Sequence, residues 1–196
     1  MALPVIRYPG AKWRFYEHIK PYISRDTKVW IEPFFGGGSM SLSIADDPDF
    51  KLERMIGGDL APEIWAMWTG IRNNSQAVVE ISKQWLLQGI PHLKELQNLG
   101  IDTDMMIKYT GEKAENFETS EKLSDFQKGT IRNNLSLFSI VMEEAKLLWK
   151  QCAEIDCSQL SIEQRAARTF LVNKLSFSGM GDSGSLSRNK VCDFKD

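Results

Sequence analysis

The chain has 196 residues, 42% of them hydrophobic and 26% charged, with a formal net charge of −2. That is the profile of an ordinary globular chain with apolar material for a core, and it excludes a disordered tail, a collagen-like rod and a disulfide miniprotein. No apolar run approaches the ~20 residues of a membrane span, and Met1 to Arg7 is too short for a signal-peptide core, so a cytoplasmic protein without a membrane partner is expected.

Three cysteines, Cys152, Cys157 and Cys192, form no CxxC pair, so buried or idle thiols are expected rather than a disulfide framework. The only histidines, His18 and His92, have no neighbouring ligands, which leaves zinc and Ser-His-Asp chemistry little to build with. No metal site is expected. Charge is unevenly spread. Residues 1–28 hold six basic and two acidic side chains, residues 165–196 six basic and three acidic, and the middle twelve basic against twenty-one acidic. Basic ends that converged in space would suit the phosphates of a nucleic acid; scattered, they would only be solvated.

In chain order, Lys28 to Phe34 is β-branched and aromatic and predicts a strand. It breaks at Gly36-Gly37-Gly38, before Ser39 to Ala45, which predicts a helix. A second strand is predicted over Arg54 to Gly58, ending at Asp59. Pro62-Glu63 then opens a helix through Trp65, Met67, Trp68 and Ile71, where proline in the first turn costs no hydrogen bond. From about Asn74 the chain turns helical and acidic. Helical periodicity spans Val78 to Leu87 and Ile131 to Ile155, around a polar stretch, Asp102 to Asp125, that reads as loop or short helix. Ser161 and Gln164 are in capping-box register for a last helix through Phe170 and Leu171, and Phe177 to Ser185 is a glycine- and serine-rich loop or hairpin. The six tryptophans are expected in the core. A doubly wound sheet needs about five or six strands, and only two are evident. The remainder is expected in strands hidden in the middle, on an absent C-terminal segment or on a partner chain, and the ending VCDFKD favours absence.

A strand running into glycines at a helix N-terminus lets backbone approach an anionic group, and an acid at the end of the next strand suits ribose hydroxyls. Gly38 and Asp59 are 21 positions apart, near the ~20 expected of such a pair. A nucleoside-containing ligand is one reading of this pair; a tight strand-to-helix connection with no ligand is the other. The dinucleotide pattern GxGxxG fails for want of its last glycine, and no phosphate loop of the form GxxxxGK[ST] occurs.

Four pieces read together are more specific. Arg7-Tyr8-Pro9-Gly10-Ala11-Lys12, Glu32-Pro33-Phe34-Phe35-Gly36-Gly37-Gly38-Ser39, Gly58-Asp59-Leu60-Ala61-Pro62-Glu63 and Phe170 to Gly179 stand in the order and spacing of the D12 class of DNA adenine N6-methyltransferases, the Dam-like family. The chain resembles that family at its two ends, with Phe34, Gly36 and Gly38 matching its FxGxG motif, and only loosely in the middle. The resemblance implies an α/β, Rossmann-like S-adenosylmethionine-dependent methyltransferase fold with an incomplete sheet and a helical DNA-recognition insert. Residues 1–73 would be the N-terminal half of the cofactor core, 74–160 the insert, and 161–196 a helix with a DNA-contacting loop or hairpin.

The same resemblance implies S-adenosylmethionine as cofactor and double-stranded DNA as partner. Tyr8, Pro9, Gly10 and Lys12 would form a cofactor loop, Glu32, Phe34, Gly36 and Gly38 would lie at the methionine end, and Asp59 would hold the ribose. Asn173, Lys174, Phe177, Ser178, Ser187, Arg188 and Lys190 would contact DNA. One departure is plain. The family's catalytic Asp-Pro-Pro-Tyr, or a close variant, is absent from the 196 residues, so no catalytic residue is assigned and a further C-terminal segment or a complementing chain is expected. Asp46-Asp47-Pro48-Asp49 lacks the second proline and the aromatic, and no cysteine follows a proline as cytosine C5 chemistry needs. Two other readings remain. One is a shortened relative that binds DNA or cofactor without catalysis, or half of a split enzyme. The other is a nicotinamide or flavin oxidoreductase, against which the missing glycine and the YPGAK segment argue.

Overall fold

The computed structural model describes residues 12–110 and 116–176, together with Val5, Ile6, Tyr8, Ser187 and Val191. The sequence-based expectations for Pro9, Gly10, Phe177, Ser178, Arg188 and Lys190, and for the glycine-serine loop, lie outside the described residues.

The architecture is mixed helix and strand. Strand β1, Val29–Glu32, leads into helix α2, Ser39–Asp46, and then strand β2, Arg54–Gly57. A short helix α1, Tyr16–Ile19, precedes them. The strands pair in parallel, with Val29 opposite Arg54 and Glu32 opposite Gly57, and are the only sheet among the described residues. Both strands begin and end close to their sequence limits, and of the about five or six strands expected for a doubly wound sheet the described residues contain these two, joined as one β-α-β unit. One face of the ribbon is covered: Trp30 packs on Tyr16, Met40, Ile44 and Phe50. On the other face Val29, Ile31 and Ile56 are exposed, Ile31 to 61%. Parallel sheets are ordinarily buried on both faces, so an exposed apolar side sets this ribbon apart.

Helix α3, Pro62–Gly89, begins at the predicted proline but runs across the expected gap after Ile71. Asn74 alone departs from helical geometry, at φ −158° and ψ 78°, and its Oδ1 accepts from the Ala77 N–H at 3.0 Å. Asn74 therefore ends one helical run and caps the next, and the kink sits where the acidic middle begins. Helix α4, Leu93–Asn98, and helix α5, Thr103–Thr110, follow; α5 forms inside the polar stretch because Met106 and Tyr109, one turn apart, bury together. Helix α6, Asp125–Glu154, starts earlier than the apolar pattern predicts, behind a Ser124–Gln127 capping box, and helix α7, Ile162–Leu175, starts behind the predicted Ser161–Gln164 box.

The main core lies among these helices, with Leu86, Met106, Ile131, Phe138, Val141, Leu148, Leu171 and Leu175 buried together. A smaller cluster joins Val78 to Ala166 and Ala167, and α3 and α7 pack so closely that a methyl on Gly70 would stand 2.6 Å from the Ala166 Cβ. Arg168 is no part of a basic surface. It is buried in α7, and its guanidinium donates to the carbonyls of Cys152 at 2.7 Å and Ala153 at 2.8 Å, satisfying the C-terminus of α6. Cys152 is buried, and burial pushes its thiol up to about 11, as befits an unreactive packing residue. Trp65 corrects the expectation that all six tryptophans are core: it is 50% exposed. Among the described residues no helix is long and apolar enough to cross a membrane.

Candidate functional site

The C-terminal ends of β1 and β2 carry the turn Phe34 to Gly38 and the loop Gly58 to Ala61. Main-chain pairing extends past the strands, with the Gly58 N–H donating to the Glu32 carbonyl at 3.0 Å and the Phe35 N–H to the Gly58 carbonyl at 2.8 Å. The turn and the acidic loop are thereby held side by side. Gly36 and Gly38 take φ of +49° and +66°, the left-handed region in which a side chain is disfavoured. A methyl on Gly38 would also stand 2.6 Å from the Phe35 ring and 2.9 Å from the Trp68 indole, and one on Gly36 2.7 Å from the Tyr8 ring. The glycines thus serve two demands, backbone shape and the close approach of aromatic rings.

Asp59 binds the turn directly. Its Oδ2 accepts from the Gly36 N–H at 2.7 Å and its Oδ1 from the Ala61 N–H at 3.0 Å. Glu32 performs a parallel task at α2, where the N-cap Gly38 has no side chain to offer. Its Oε2 accepts from the Ser41 N–H at 3.1 Å and from the Ser41 hydroxyl. A carboxylate there complements the positive end of the helix. The Lys12 N–H donates to the Ser39 Oγ at 3.1 Å, and Tyr8 lies against Gly36 and Gly37. The N-terminal segment, the glycine turn and the acid after β2, read separately in the sequence, are brought to one place.

Two apolar side chains flank them in solvent: Phe34 is 77% exposed and Leu60 88%. Leu60 has no signal in the sequence beyond following Asp59. Trp68, expected as a core residue, does more than pack: its Nε1–H donates to the Gly36 carbonyl at 2.8 Å and its ring meets Phe35 edge-on, with centroids 5.0 Å apart. Beside the turn, between β2 and the first half of α3, a cleft of about 360 Å³ is lined by Phe35, Met55, Asp59, Trp65, Trp68 and Arg72. A larger apolar cavity, about 460 Å³, lies elsewhere, between the second half of α3, α4 and α7. It has two lysines and no carboxylate, and none of the turn residues Phe34 to Gly38 lines it.

The proposed DNA contacts divide. Lys174 is half-buried, with its Nζ 5.3 Å from the centre of the Phe170 ring. Asn173 and Ser187 are buried, and the Ser187 N–H donates to the Leu175 carbonyl at 2.6 Å, which ties the chain beyond α7 back to the helix end. No cluster of histidine, cysteine, aspartate or glutamate among the described residues could hold a metal ion.

Comparison with known proteins bears on this arrangement. No curated protein matches the chain. The family model of D12 class N6 adenine-specific DNA methyltransferases matches residues 8–187, from Tyr8 at the glycine turn to Ser187 beside α7. The activity of that family is methylation of adenine N6 in DNA. The match takes in the N-terminal segment, the glycine turn, the acid after β2 and the helices between them and α7, so the chain belongs to the D12 class N6 adenine-specific DNA methyltransferase family.

Proposed function

We propose that the chain forms the cofactor-binding part of an S-adenosylmethionine-dependent enzyme that methylates the exocyclic N6 of adenine in double-stranded DNA, on a Rossmann-like sheet completed by further strands. Residues 1–73 are the N-terminal half of that core, 74–160 the recognition insert and 161–196 the helix and DNA-contacting segment. The observation that carries the reading is the convergence of Tyr8, Gly36 and Asp59 at the ends of two parallel strands.

The residues fit the cofactor. Each Asp59 oxygen accepts one backbone N–H and keeps a second lone pair for a ribose hydroxyl. Phe34 and Leu60 offer exposed apolar surface to a purine or a thioether chain. Tyr8, Lys12 and the Gly36–Gly38 turn would surround the methionine end, with Pro9 and Gly10 in the same segment and Glu32 holding α2 behind it. When bound, S-adenosylmethionine supplies a methyl group activated on a sulfonium.

Adenine's amino group is a poor nucleophile because its lone pair is delocalised into the ring. It must be taken out of the stack and held with its N–H groups on acceptors and its ring against an aromatic. The Asp-Pro-Pro-Tyr that does this in the family is absent from the sequence. We assign that task to a further segment or a complementing chain that covers the exposed Val29, Ile31 and Ile56 face of the ribbon. At the DNA, Lys174, Arg188 and Lys190 would neutralise phosphates. Phe177 and Ser178 would touch the duplex, and the buried Asn173 and Ser187 would shape the segment that carries them.

The test measures S-adenosylmethionine binding by calorimetry and tritiated methyl transfer to adenine-containing duplex DNA, with and without a segment bearing Asp-Pro-Pro-Tyr. The expected result is binding by the chain and transfer only with the segment, because orientation of the amine is worth ~7–11 kcal/mol of barrier. Robust adenine methylation by residues 1–196 alone would overturn this account of the catalytic site, and absence of binding in both arms would overturn the cofactor assignment. Binding with no transfer in either arm would favour a non-catalytic relative.

A further inference from the structure

We propose that Trp68 is a positioning residue for the glycine turn, orienting the Gly36–Gly37 peptide so that the Gly37 N–H is presented to a carboxylate of the ligand; this rests on the cofactor reading above. Gly36 is gripped at both ends by residues from later in the chain. Its N–H donates to Asp59 at 2.7 Å, and its carbonyl accepts from the Trp68 indole at 2.8 Å. The described chain contains no cis peptide, and in a trans peptide the carbonyl and the following N–H point in opposite directions. Turning the Gly36 carbonyl toward the indole therefore aims the Gly37 N–H away from it.

The amides of the turn are not equivalent. Gly36 is engaged with Asp59, and the Gly38 N–H donates to the Phe35 carbonyl at 2.7 Å. Gly37 has no hydrogen-bond partner among the described residues. It also lies just before α2, whose positive end adds to the attraction for an anion. A peptide between two glycines has no Cβ to hinder its rotation, so its direction needs an external clamp. Trp68 supplies one from a rigid helix, backed by the edge-on Phe35 ring. Of the groups at the methionine end of the cofactor, the carboxylate is the one an N–H recognises.

The experiment uses the full chain and two ligands, S-adenosylhomocysteine and its decarboxylated analogue S-adenosyl-3-thiopropylamine, with affinities measured by calorimetry. Trp68→Phe keeps an aromatic ring against Phe35 and loses the donor; 3-benzothienylalanine at position 68 keeps the indole shape with sulfur in place of N–H. Both substitutions are expected to weaken S-adenosylhomocysteine about tenfold or more and the decarboxylated analogue under about twofold, the pattern of a lost contact to a charged group. Equal losses for the two ligands, or no loss for either, would overturn the proposal. A parent chain that binds neither ligand would refute the cofactor reading instead. Hydrogen exchange of the 15N-labelled indole then tests the clamp. Exchange of the Trp68 N–H as fast as that of exposed Trp65 overturns it, whereas slow exchange with a Gly37 amide resonance that moves in Trp68→Phe upholds it.

Discussion

Asp59 offers the sharpest perturbation of the site because one side chain joins two segments. Asp59→Ala removes the acceptor of the Gly36 N–H, a tertiary contact at 2.7 Å across 23 positions, and that of the Ala61 N–H, a local one at 3.0 Å. A hydrogen bond to a charged group is worth ~1.5–3 kcal/mol and a local neutral-scale one ~0.5–1.5, so the pair amounts to about 2–4 kcal/mol. Asp59 is half-buried, and water can reach the abandoned N–H groups, so the lower part of that range, about 2–3 kcal/mol, is expected. Asp59→Asn keeps one oxygen acceptor and should lose about half as much. Urea unfolding followed by tryptophan fluorescence would give the order parent, Asn, Ala, with midpoints shifting at constant slope. An Ala variant within about 0.5 kcal/mol of the parent, or an Asn variant as damaged as the Ala one, would refute the reasoning.

Gly38→Ala meets both a φ of +66° and a Cβ 2.6 Å from the Phe35 ring, so thermal or urea unfolding should show a loss of about 2–4 kcal/mol. Arg168→Ala abandons the carbonyls of Cys152 and Ala153 in a buried setting; a loss of about 3 kcal/mol is expected in the same measurement, with faster hydrogen exchange in the last turn of α6. Lys20 holds the Asp47 carboxyl down to about 2, chiefly by its hydrogen bond at 2.7 Å. Because the folded value lies below the ordinary 3.8 of an aspartate, the stability contributed is complete above 3.8 and is lost as the pH falls toward about 2. The Tyr16 hydroxyl of α1 donates to the same carboxylate at 2.9 Å, so an acid titration followed by Tyr16 fluorescence or its ring resonances should show α1 detaching from Asp47 in that window, and Asp47→Asn should abolish the acid step.

The glycine turn, both strands, the start of α3 and the Ser161 cap are legible in the sequence because each is a local signal: positive-φ glycines, β-branched runs, a first-turn proline, a capping box. The start of α6 was equally local, in Ser124 and Gln127, but the apolar pattern from Ile131 draws attention six positions late. Helix α5 is one of the two readings of its polar stretch, loop or short helix, and the sequence leaves the choice open because only two of the described positions there are buried, Met106 and Tyr109. The run Asn73-Asn74-Ser75-Gln76 reads as a break, and it is one only at Asn74. What the sequence does not disclose are partners set by tertiary structure. Trp68 finds a carbonyl 32 positions upstream, and Arg168 finds two carbonyls on another helix, 15 and 16 positions away. Neither pairing has a period or spacing to read.

The kink at Asn74 gives the molecule a gear ratio. Trp68, which grips the glycine turn, stands six residues before the kink, and Val78, which packs on Ala166 and Ala167 of α7, and Leu86, which belongs to the main helical core, stand after it on the same α3. A helix advances about 100° and 1.5 Å per residue. One residue gained or lost between Trp68 and Val78 would thus swing everything beyond the kink by more than a quarter turn relative to the glycine turn, while every local contact on each side stayed chemically intact. Only reeling at the non-helical Asn74 could absorb such a change. The spacing between Trp68 and Val78 is accordingly a length standard that links the glycine turn to the helical core, and changes of length should be accommodated beyond Leu86 and not within this stretch of helix.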